Sequence, residues 1–197
     1  MTQHTIATTI WPTVDGTHVL RNVTLAFVGS LLLVASAKIS IPFVPVPLTL
    51  QTLVVLLLGM AYGWKLGAAT VLLYLAEGAA GLPVFTGTPE RGLGVAYMLG
   101  STGGYLAGFV LAAAICGHLA ERGWGKTHAS TAIAMLIGSM VIYIPGLAWL
   151  GFLFGWDKPI LAWGLTPFLL GDLIKLLLAV GLFPLFWKLI GGIHRLK

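Results

Sequence analysis

Charged side chains are scarce in this chain of 197 residues: only 9% are Asp, Glu, Lys or Arg, whereas 58% are hydrophobic. A soluble domain carries about 25% charged residues, so this composition excludes an ordinary soluble protein and predicts a multi-pass membrane protein. The single cysteine, Cys116, excludes an internal disulfide. The basic surplus of +5 is spread singly between apolar segments. That distribution is typical of membrane topology signals and argues against nucleic-acid binding.

Familiar catalytic and metal-binding patterns are also missing from the sequence. No two of the five histidines have a metal-ligand spacing such as HExxH, and no Ser/His/Asp set is evident. Residues 120–127, AERGWGKT, end like a phosphate-binding loop, but Ala120 stands where the first glycine belongs and no strand precedes it. We therefore expect no enzymatic activity, no cofactor and no metal. Uphill transport by this chain would need an external energy source.

Six apolar segments predict an all-α integral membrane protein with six transmembrane helices. They cover residues 23–41, 48–62, 66–80, 95–119, 129–153 and 167–190. The second and third segments are short, since 15 residues of helix span only about 22 Å of a hydrocarbon core that is about 30 Å thick. We expect a tight turn at Gly63 between these two segments. The predicted domain organisation is a polar N-terminal segment, residues 1–20, followed by a single six-helix transmembrane domain, residues 21–197.

The basic residues predict that both termini are cytoplasmic. With the N-terminus inside, the cytoplasmic side receives seven of them and the outer side three: Arg21, Lys65, Arg122, Lys126, Lys188, Arg195 and Lys197, against Lys38, Arg91 and Lys158. This orientation places the proline-rich residues 41–47 and the loop of residues 81–92 on the outer side. Together they predict a half-buried pocket that opens outward, with Phe43, Phe85, Tyr97 and Trp163 as candidate walls.

Asp172 and Lys175 are the most unusual residues of the last apolar segment. Each charge at the centre of a membrane helix costs about 2.5–3.5 kcal/mol on insertion scales, so a helix needed only as an anchor would not carry both. Their i, i+3 spacing places them on one helix face. One interpretation is an ion pair that only neutralises itself within the bundle. The other, which we favour, is a polar anchor for a small ligand.

Two further charged residues have competing interpretations. Arg91 is either a solvated loop residue or a bidentate clamp for a ligand carboxylate. Glu77, near the end of the third segment, is either a ligand contact or a counter-charge for Lys175 or Lys38. Lys38 itself is expected to extend to the outer membrane interface.

Small residues recur along two of the apolar segments. In the fourth segment they are spaced four apart and predict close internal helix packing: Gly100, Gly104, Gly108, Ala112 and Cys116. The first segment has a weaker set: Ala26, Ser30 and Ala37. The weaker set is compatible with internal packing or with docking of another membrane subunit.

Four motifs in order resemble the BioY family, the biotin-specific substrate-capture (S) component of energy-coupling-factor (ECF) transporters. They are PVPLTLQT at residues 45–52, GLPVF at 81–85, GSTGGY at 100–105 and GDLIK at 171–175. The resemblance implies a six-helix fold in the bacterial cytoplasmic (inner) membrane, surrounded by lipid. It also implies high-affinity capture of biotin from outside, together with a transmembrane coupling subunit and ATPase subunits that supply energy. The family's site residues map onto Asp172, Lys175, Arg91 and, with less support, Glu77.

Other functions remain open at this point. Another vitamin, such as thiamine, would be a rival ligand within the transporter class, although a cationic ligand should prefer surplus acid. A membrane enzyme and a bundle that only scaffolds partners are alternatives from different classes. The sequence also allows a homo-oligomer.

Overall fold

The computed structural model describes residues 5–12, 17–90 and 92–194. Its α-helices, in chain order, are α1 (Ile6–Ile10), α2 (His18–Lys38), α3 (Gln51–Tyr62), α4 (Trp64–Ala79), α5 (Gly94–Met98), α6 (Gly103–Glu121), α7 (His128–Phe154), α8 (Ile160–Gly164) and α9 (Leu169–His194). A 3₁₀ turn, Thr166–Phe168, leads into α9, and two short strands, β1 (Ser40–Ile41) and β2 (Leu48–Thr49), follow α2.

Four helical stretches of the described residues are long and apolar enough to cross a membrane: His18–Lys38, Gly103–Glu121, His128–Phe154 and Ile160–Leu189. The two segments that the sequence marked as short remain short, because α3 has 12 residues and α4 has 16. The structure therefore confirms a mostly helical protein with several apolar helices of membrane-spanning length.

The prediction of one continuous helix over the fourth segment, residues 95–119, is wrong. This segment is divided into the short α5 and the long α6, and Gly100 lies in the break. The amide of Gly103 donates to the carbonyl of Gly100 in this turn (3.1 Å). Glycine costs about 1 kcal/mol relative to alanine inside a helix, so the cluster of three glycines in residues 100–104 favours a turn over an unbroken helix.

The N-terminal region and the proline-rich segment also carry structure beyond the six predicted helices. Within residues 1–20, α1 begins after Thr5, whose side chain caps it, and α2 begins at His18. β1 and β2 pair in antiparallel fashion, with Ser40 opposite Thr49, and enclose the prolines. Proline lacks a backbone donor, which is compatible with a connection between two strands and not with a helix. The predicted all-α fold class is therefore corrected by one pair of two-residue strands.

Helix α6 lies at the centre of the bundle and packs against α7, α3 and α4. At Gly108, an added Cβ would lie 2.8 Å from the Cα of Ile142 on α7. The small residues of α6 therefore allow the close approach of α7, which confirms internal packing for Gly104, Gly108, Ala112 and Cys116. Gly100, the first member of the predicted set, lies outside the helix.

The connection between α3 and α4 is the single residue Gly63. Its φ of 84° lies in the left-handed region that favours glycine, and the tight turn expected from the sequence is confirmed. An added Cβ there would also meet the Cγ2 atom of Thr5 at 3.1 Å, because the start of α1 covers this turn.

Helix α2 packs on α4 and α3. Ser30, Ala37 and the intervening Leu33 are buried and Ala26 is half-buried, so the small-residue face of this helix points into the bundle. Of the two interpretations left open by the sequence, the structure supports internal packing. The opposite face of α2 exposes large apolar side chains such as Phe27 and Leu31.

Candidate functional site

Asp172 and Lys175 form an ion pair within α9, with 2.9 Å between Lys175 Nζ and Asp172 Oδ1. The lysine side chain is 10% exposed and the aspartate side chain 15%. Residues three apart lie on one helix face, and here that face points towards α3 and α7. The predicted juxtaposition is therefore present, and the pair faces protein.

Two neighbouring hydroxyl groups complete the cluster. Lys175 Nζ donates to Thr52 Oγ1 on α3 (2.8 Å). The hydroxyl of Tyr143 on α7 donates to Asp172 Oδ2. Both carboxylate oxygens are thus engaged, and the ammonium group has two acceptors. Buried ionic groups are tolerated when their hydrogen bonds are satisfied in this way. We call these four residues the acid–lysine cluster.

Lys175 lines an apolar cavity between the helices. The cavity comprises about 540 Å³ of space between atoms, including space continuous with solvent. Its walls come from residues of α3, α5, α6, α7, α9, β2 and the connecting segments: Val46, Pro47, Thr49, Gln51, Thr52, Phe85, Thr86, Tyr97, Thr102, Tyr105, Leu106, Phe109, Ile142, Tyr143, Phe168 and Lys175. Apolar walls with a few polar groups are typical of small-molecule sites.

Asp172 borders a second, smaller space of about 220 Å³, which it shares with Lys175, Thr52 and Ser139. Lys175 and Thr52 therefore stand between the two spaces, and Asp172 lies on the far side from the larger one. The ion pair closes one wall of the apolar cavity; it is neither exposed to lipid nor remote from the interior space.

A second polar group on the cavity wall is centred on the amide of Gln51, the first residue of α3. Its Nε2 donates to the hydroxyl of Tyr74 (2.8 Å), which in turn donates to the carbonyl of Val84 (3.2 Å). Its Oε1 lies 3.3 Å from the hydroxyl oxygen of Thr86, whose proton is directed to the closer carbonyl of Ala37. This buried network places a carboxamide and two threonine hydroxyls, those of Thr49 and Thr86, beside the apolar walls.

Aromatic rings form much of the remaining wall. Phe85 stacks on Tyr97, with ring centroids 4.7 Å apart, and both line the cavity as expected. Two other candidate walls do not: Phe43 is 41% exposed, and Trp163 packs edge-on against Phe154 instead. The sequence could not separate these cases because ring orientation depends on loop geometry.

Glu77 and Arg91 are not part of the described cavity. Glu77 on α4 accepts a hydrogen bond from the hydroxyl of Ser30 on α2. Since Lys175 pairs with Asp172 and Lys38 binds loop oxygens, the counter-charge interpretation of Glu77 is wrong. Its role as a ligand contact stays a prediction. Arg91 lies outside the described residues, so its predicted contact also stays a prediction.

Sequence reasoning missed Thr52, Tyr143 and the network of Gln51 as contributors to the site. The available signal was their polarity: Gln51 and Thr52 open a helix that is otherwise apolar, and Tyr143 interrupts the apolar run of α7. Polar groups in a membrane helix usually find partners inside the bundle. What the sequence could not provide is which helices place those groups next to α9.

The comparisons with known proteins agree with this architecture. A model of the BioY family matches residues 4–192. The chain belongs to the BioY family. Relatives include the "Probable biotin transporter BioY" of Pyrococcus horikoshii, 41% identical over 144 residues, which are 73% of this chain and 82% of that protein. The "Biotin transporter BioY" of Thermotoga maritima is 38% identical over 160 residues, 81% of this chain and 92% of that protein.

Among solved structures, the chain resembles the S-component for biotin from an ECF-type ABC transporter, with a TM-score of 0.74 and 26% identity. The match covers 89% of this chain and 95% of that one. The BioY resemblance carried by the four sequence motifs is thereby confirmed. The BioY relatives are named as transporters, in agreement with the expectation that the chain is not an enzyme.

Proposed function

We propose that this chain captures biotin and takes it up across the cytoplasmic membrane as the S component of an ECF transporter. One observation carries the proposal: the likeness to a biotin S-component extends over 89% of this chain and 95% of that protein. The chain is a transporter component and not an enzyme.

The chemistry of biotin suits this site. Biotin has a ureido ring with two N–H donors and a carbonyl, an apolar thioether ring and a carboxylate tail. Lys175 donates to a carbonyl or carboxylate, Asp172 and the Gln51 network offer acceptors, and the aromatic walls enclose the apolar ring. Nanomolar affinity corresponds to about −12 kcal/mol. Two or three charge-assisted hydrogen bonds at about 1.5–3 kcal/mol each, with burial of the ring, reach that range.

The proposed biotin contacts are Asp172, Lys175, Arg91 and Glu77. Lys175 has the strongest support, because it lines the cavity. Asp172 lies behind Lys175, on the side away from the cavity, and would contact the ligand once the two side chains moved. Arg91 is the candidate for the biotin carboxylate, as the cationic member of the loop that also carries Phe85 into the cavity wall.

Transport by this chain requires partners. It carries no complete phosphate-binding loop, so the energy must come from separate ATPase subunits through a transmembrane coupling subunit. Membrane lipid surrounds the exposed apolar faces of α2, α7 and α9.

We further propose six membrane crossings, by α2, α3, α4, α6, α7 and α9, with both termini in the cytoplasm. The positive-inside distribution supports this orientation, and an even number of crossings places the termini on one side. The single native cysteine, Cys116, is buried, which suits cysteine labelling in intact cells. Cysteine at Lys158 should react with an impermeant maleimide, and cysteine at Lys65 should react only after lysis. The reverse labelling pattern would indicate the opposite orientation, with both termini outside.

Calorimetry on the purified full-length chain tests the proposed function. Biotin should bind at nanomolar concentration with one site per chain, and thiamine should not bind. Binding of thiamine but not biotin would establish the rival vitamin. A melting temperature unchanged by any vitamin would instead favour a scaffold role.

A further inference from the structure

Lys38, the last residue of α2, reaches across to the loop of residues 82–90. Its Nζ donates to the carbonyl of Phe85 (3.0 Å), to Thr88 Oγ1 (3.1 Å) and, at the limit of hydrogen-bonding distance, to the carbonyl of Thr88 (3.5 Å). A lysine that merely extends to a membrane interface would direct its ammonium group into water. Here the ammonium group instead has three acceptors on one loop.

The end of α2 holds the same loop through a second contact. The hydroxyl of Thr86 donates to the carbonyl of Ala37 (3.0 Å), the residue before Lys38. Thr88 also closes the turn from within, because its hydroxyl donates to the carbonyl of Phe85 (2.7 Å). The last two residues of α2 are therefore joined to the loop at Phe85, Thr86 and Thr88.

The residues held in this way are those that the loop contributes to the cavity. Phe85 and Thr86 both line it, and both are almost fully buried, at 1% and 4% exposure. Phe85 also packs over Gly78 of α4, where the ring occupies the place of a side chain. If the loop moved away from α2, the cavity would lose a wall and open to its surroundings.

We propose that Lys38 is the latch of this loop: a positioning residue that does not touch the ligand but keeps the cavity closed over it. The identity of the ligand rests on the proposed function, whereas the latch itself does not. Loops that cover a ligand set its release rate more than its capture rate. Loss of the latch should therefore shorten the residence time of biotin.

The first experiment needs no ligand. Amide hydrogen exchange of residues 84–90 is measured in the full-length protein without biotin, for the wild type and for Lys38→Ala. We expect exchange at least fivefold faster in the variant, since the opening of a loop governs exchange of its amides. Exchange in α6 should stay the same. Unchanged exchange in residues 84–90 would overturn the latch, whatever the protein binds.

A double-mutant cycle separates a latch from a charge that only stabilises the end of α2. Thr88→Val removes one acceptor of Lys38, and Lys38→Arg keeps the charge and the donors. We expect Lys38→Ala and Thr88→Val to be strongly non-additive in loop exchange, and Lys38→Arg to remain within about twofold of the wild type. Additive effects would assign Lys38 to the helix end and would reject the latch.

The second experiment measures biotin release from the immobilised full-length chain. Lys38→Ala should release biotin about tenfold faster, with a capture rate within about threefold of the wild type and an unchanged melting temperature in the absence of biotin. Lys158→Ala, which removes an exposed lysine distant from the loop, should leave both rates unchanged.

Faster loop exchange with unchanged release would show that the loop does not retain the ligand. Absence of biotin binding by the wild type would contradict the proposed function and leave the result of the exchange experiment standing.

Discussion

Two Asp–Lys pairs of almost equal length occupy opposite surroundings in this protein. The pair of Asp157 and Lys158, between α7 and α8, has an N–O distance of 3.0 Å, and the pair of Asp172 and Lys175 has one of 2.9 Å. The side chains of the first pair are 71% and 50% exposed, and those of the second 15% and 10%.

The difference teaches that distance alone does not indicate the role of an ion pair. The exposed pair is screened by water and contributes about 0–1 kcal/mol. The buried pair has lost its hydration and is held by Thr52 and Tyr143 beside a cavity. Apolar replacements of buried pairs are often as stable as the pair. The buried charges at this position therefore support the proposed role in ligand binding, and the following substitutions test that contrast.

The largest effect is expected from Lys175→Ala. It leaves the Asp172 carboxylate buried without a counter-charge and removes the only lysine on the cavity wall among the described residues. We expect biotin affinity to fall at least tenfold and the free energy of unfolding to fall by about 3 kcal/mol. Titration calorimetry and chemical denaturation measure the two quantities. Unchanged affinity with reduced stability would make the buried pair purely structural.

Asp172→Asn should have the next largest effect. The amide keeps the size of the side chain and one acceptor but removes the negative charge that holds Lys175. We expect biotin affinity to fall at least tenfold, because hydrogen bonds to charged groups contribute about 1.5–3 kcal/mol. The substitution leaves the buried Lys175 ammonium group without its counter-charge, but that group keeps its hydrogen bond to Thr52, so the loss of stability should be somewhat smaller than for Lys175→Ala. A biotin titration curve identical to that of the wild type would contradict the assignment.

Tyr143→Phe isolates the hydroxyl that donates to Asp172 Oδ2. The ring keeps its place in the cavity wall while the carboxylate loses one donor. A hydrogen bond to a charged group contributes about 1.5–3 kcal/mol. Because this one affects the ligand only through Asp172, we expect a smaller, three- to tenfold loss of biotin affinity. In the Asp172→Asn background the same substitution should cost much less, because the two residues act together. Equal losses in both backgrounds would show that Tyr143 does not act through Asp172.

Lys158→Ala provides the matched control. Its ammonium group pairs only with the exposed Asp157 among the described salt bridges, so we expect less than a twofold change in biotin affinity and a change of less than about 0.5 kcal/mol in stability. A loss comparable to that of Lys175→Ala would remove the distinction between the two pairs.

The sequence was sufficient for the parts of the fold and site that depend on local pattern. An acid and a base three residues apart in an apolar run predict one helix face, and Asp172 and Lys175 do pair there. Segments of 15 apolar residues predict short helices, and α3 and α4 are short. Glycine at a helix junction predicts a turn, and Gly63 forms one.

The rest depends on contacts between distant parts of the chain. Thr52 and Tyr143 are 120 and 29 residues from Asp172 along the chain, and no periodicity links them. Glu77 accepts a hydrogen bond from the hydroxyl of Ser30 and does not pair with a lysine, because α2 and α4 are neighbours. The break at Gly100 was visible as a glycine cluster, but apolar content around it favoured a continuous helix.

The short α3 has a consequence for the energetics of translocation. Its 12 residues supply about 18 Å of helix in a hydrocarbon layer of about 30 Å. If α3 is one of the proposed crossings, the strand pair and the loop make up the remaining depth of about 12 Å. The cavity lies where α3 starts. In the proposed orientation, a molecule resting against Gln51 and Thr52 has therefore already crossed about two fifths of the hydrocarbon layer. Part of its dehydration then occurs during spontaneous capture, and the proposed ATP-driven step would have a correspondingly shorter distance to cover.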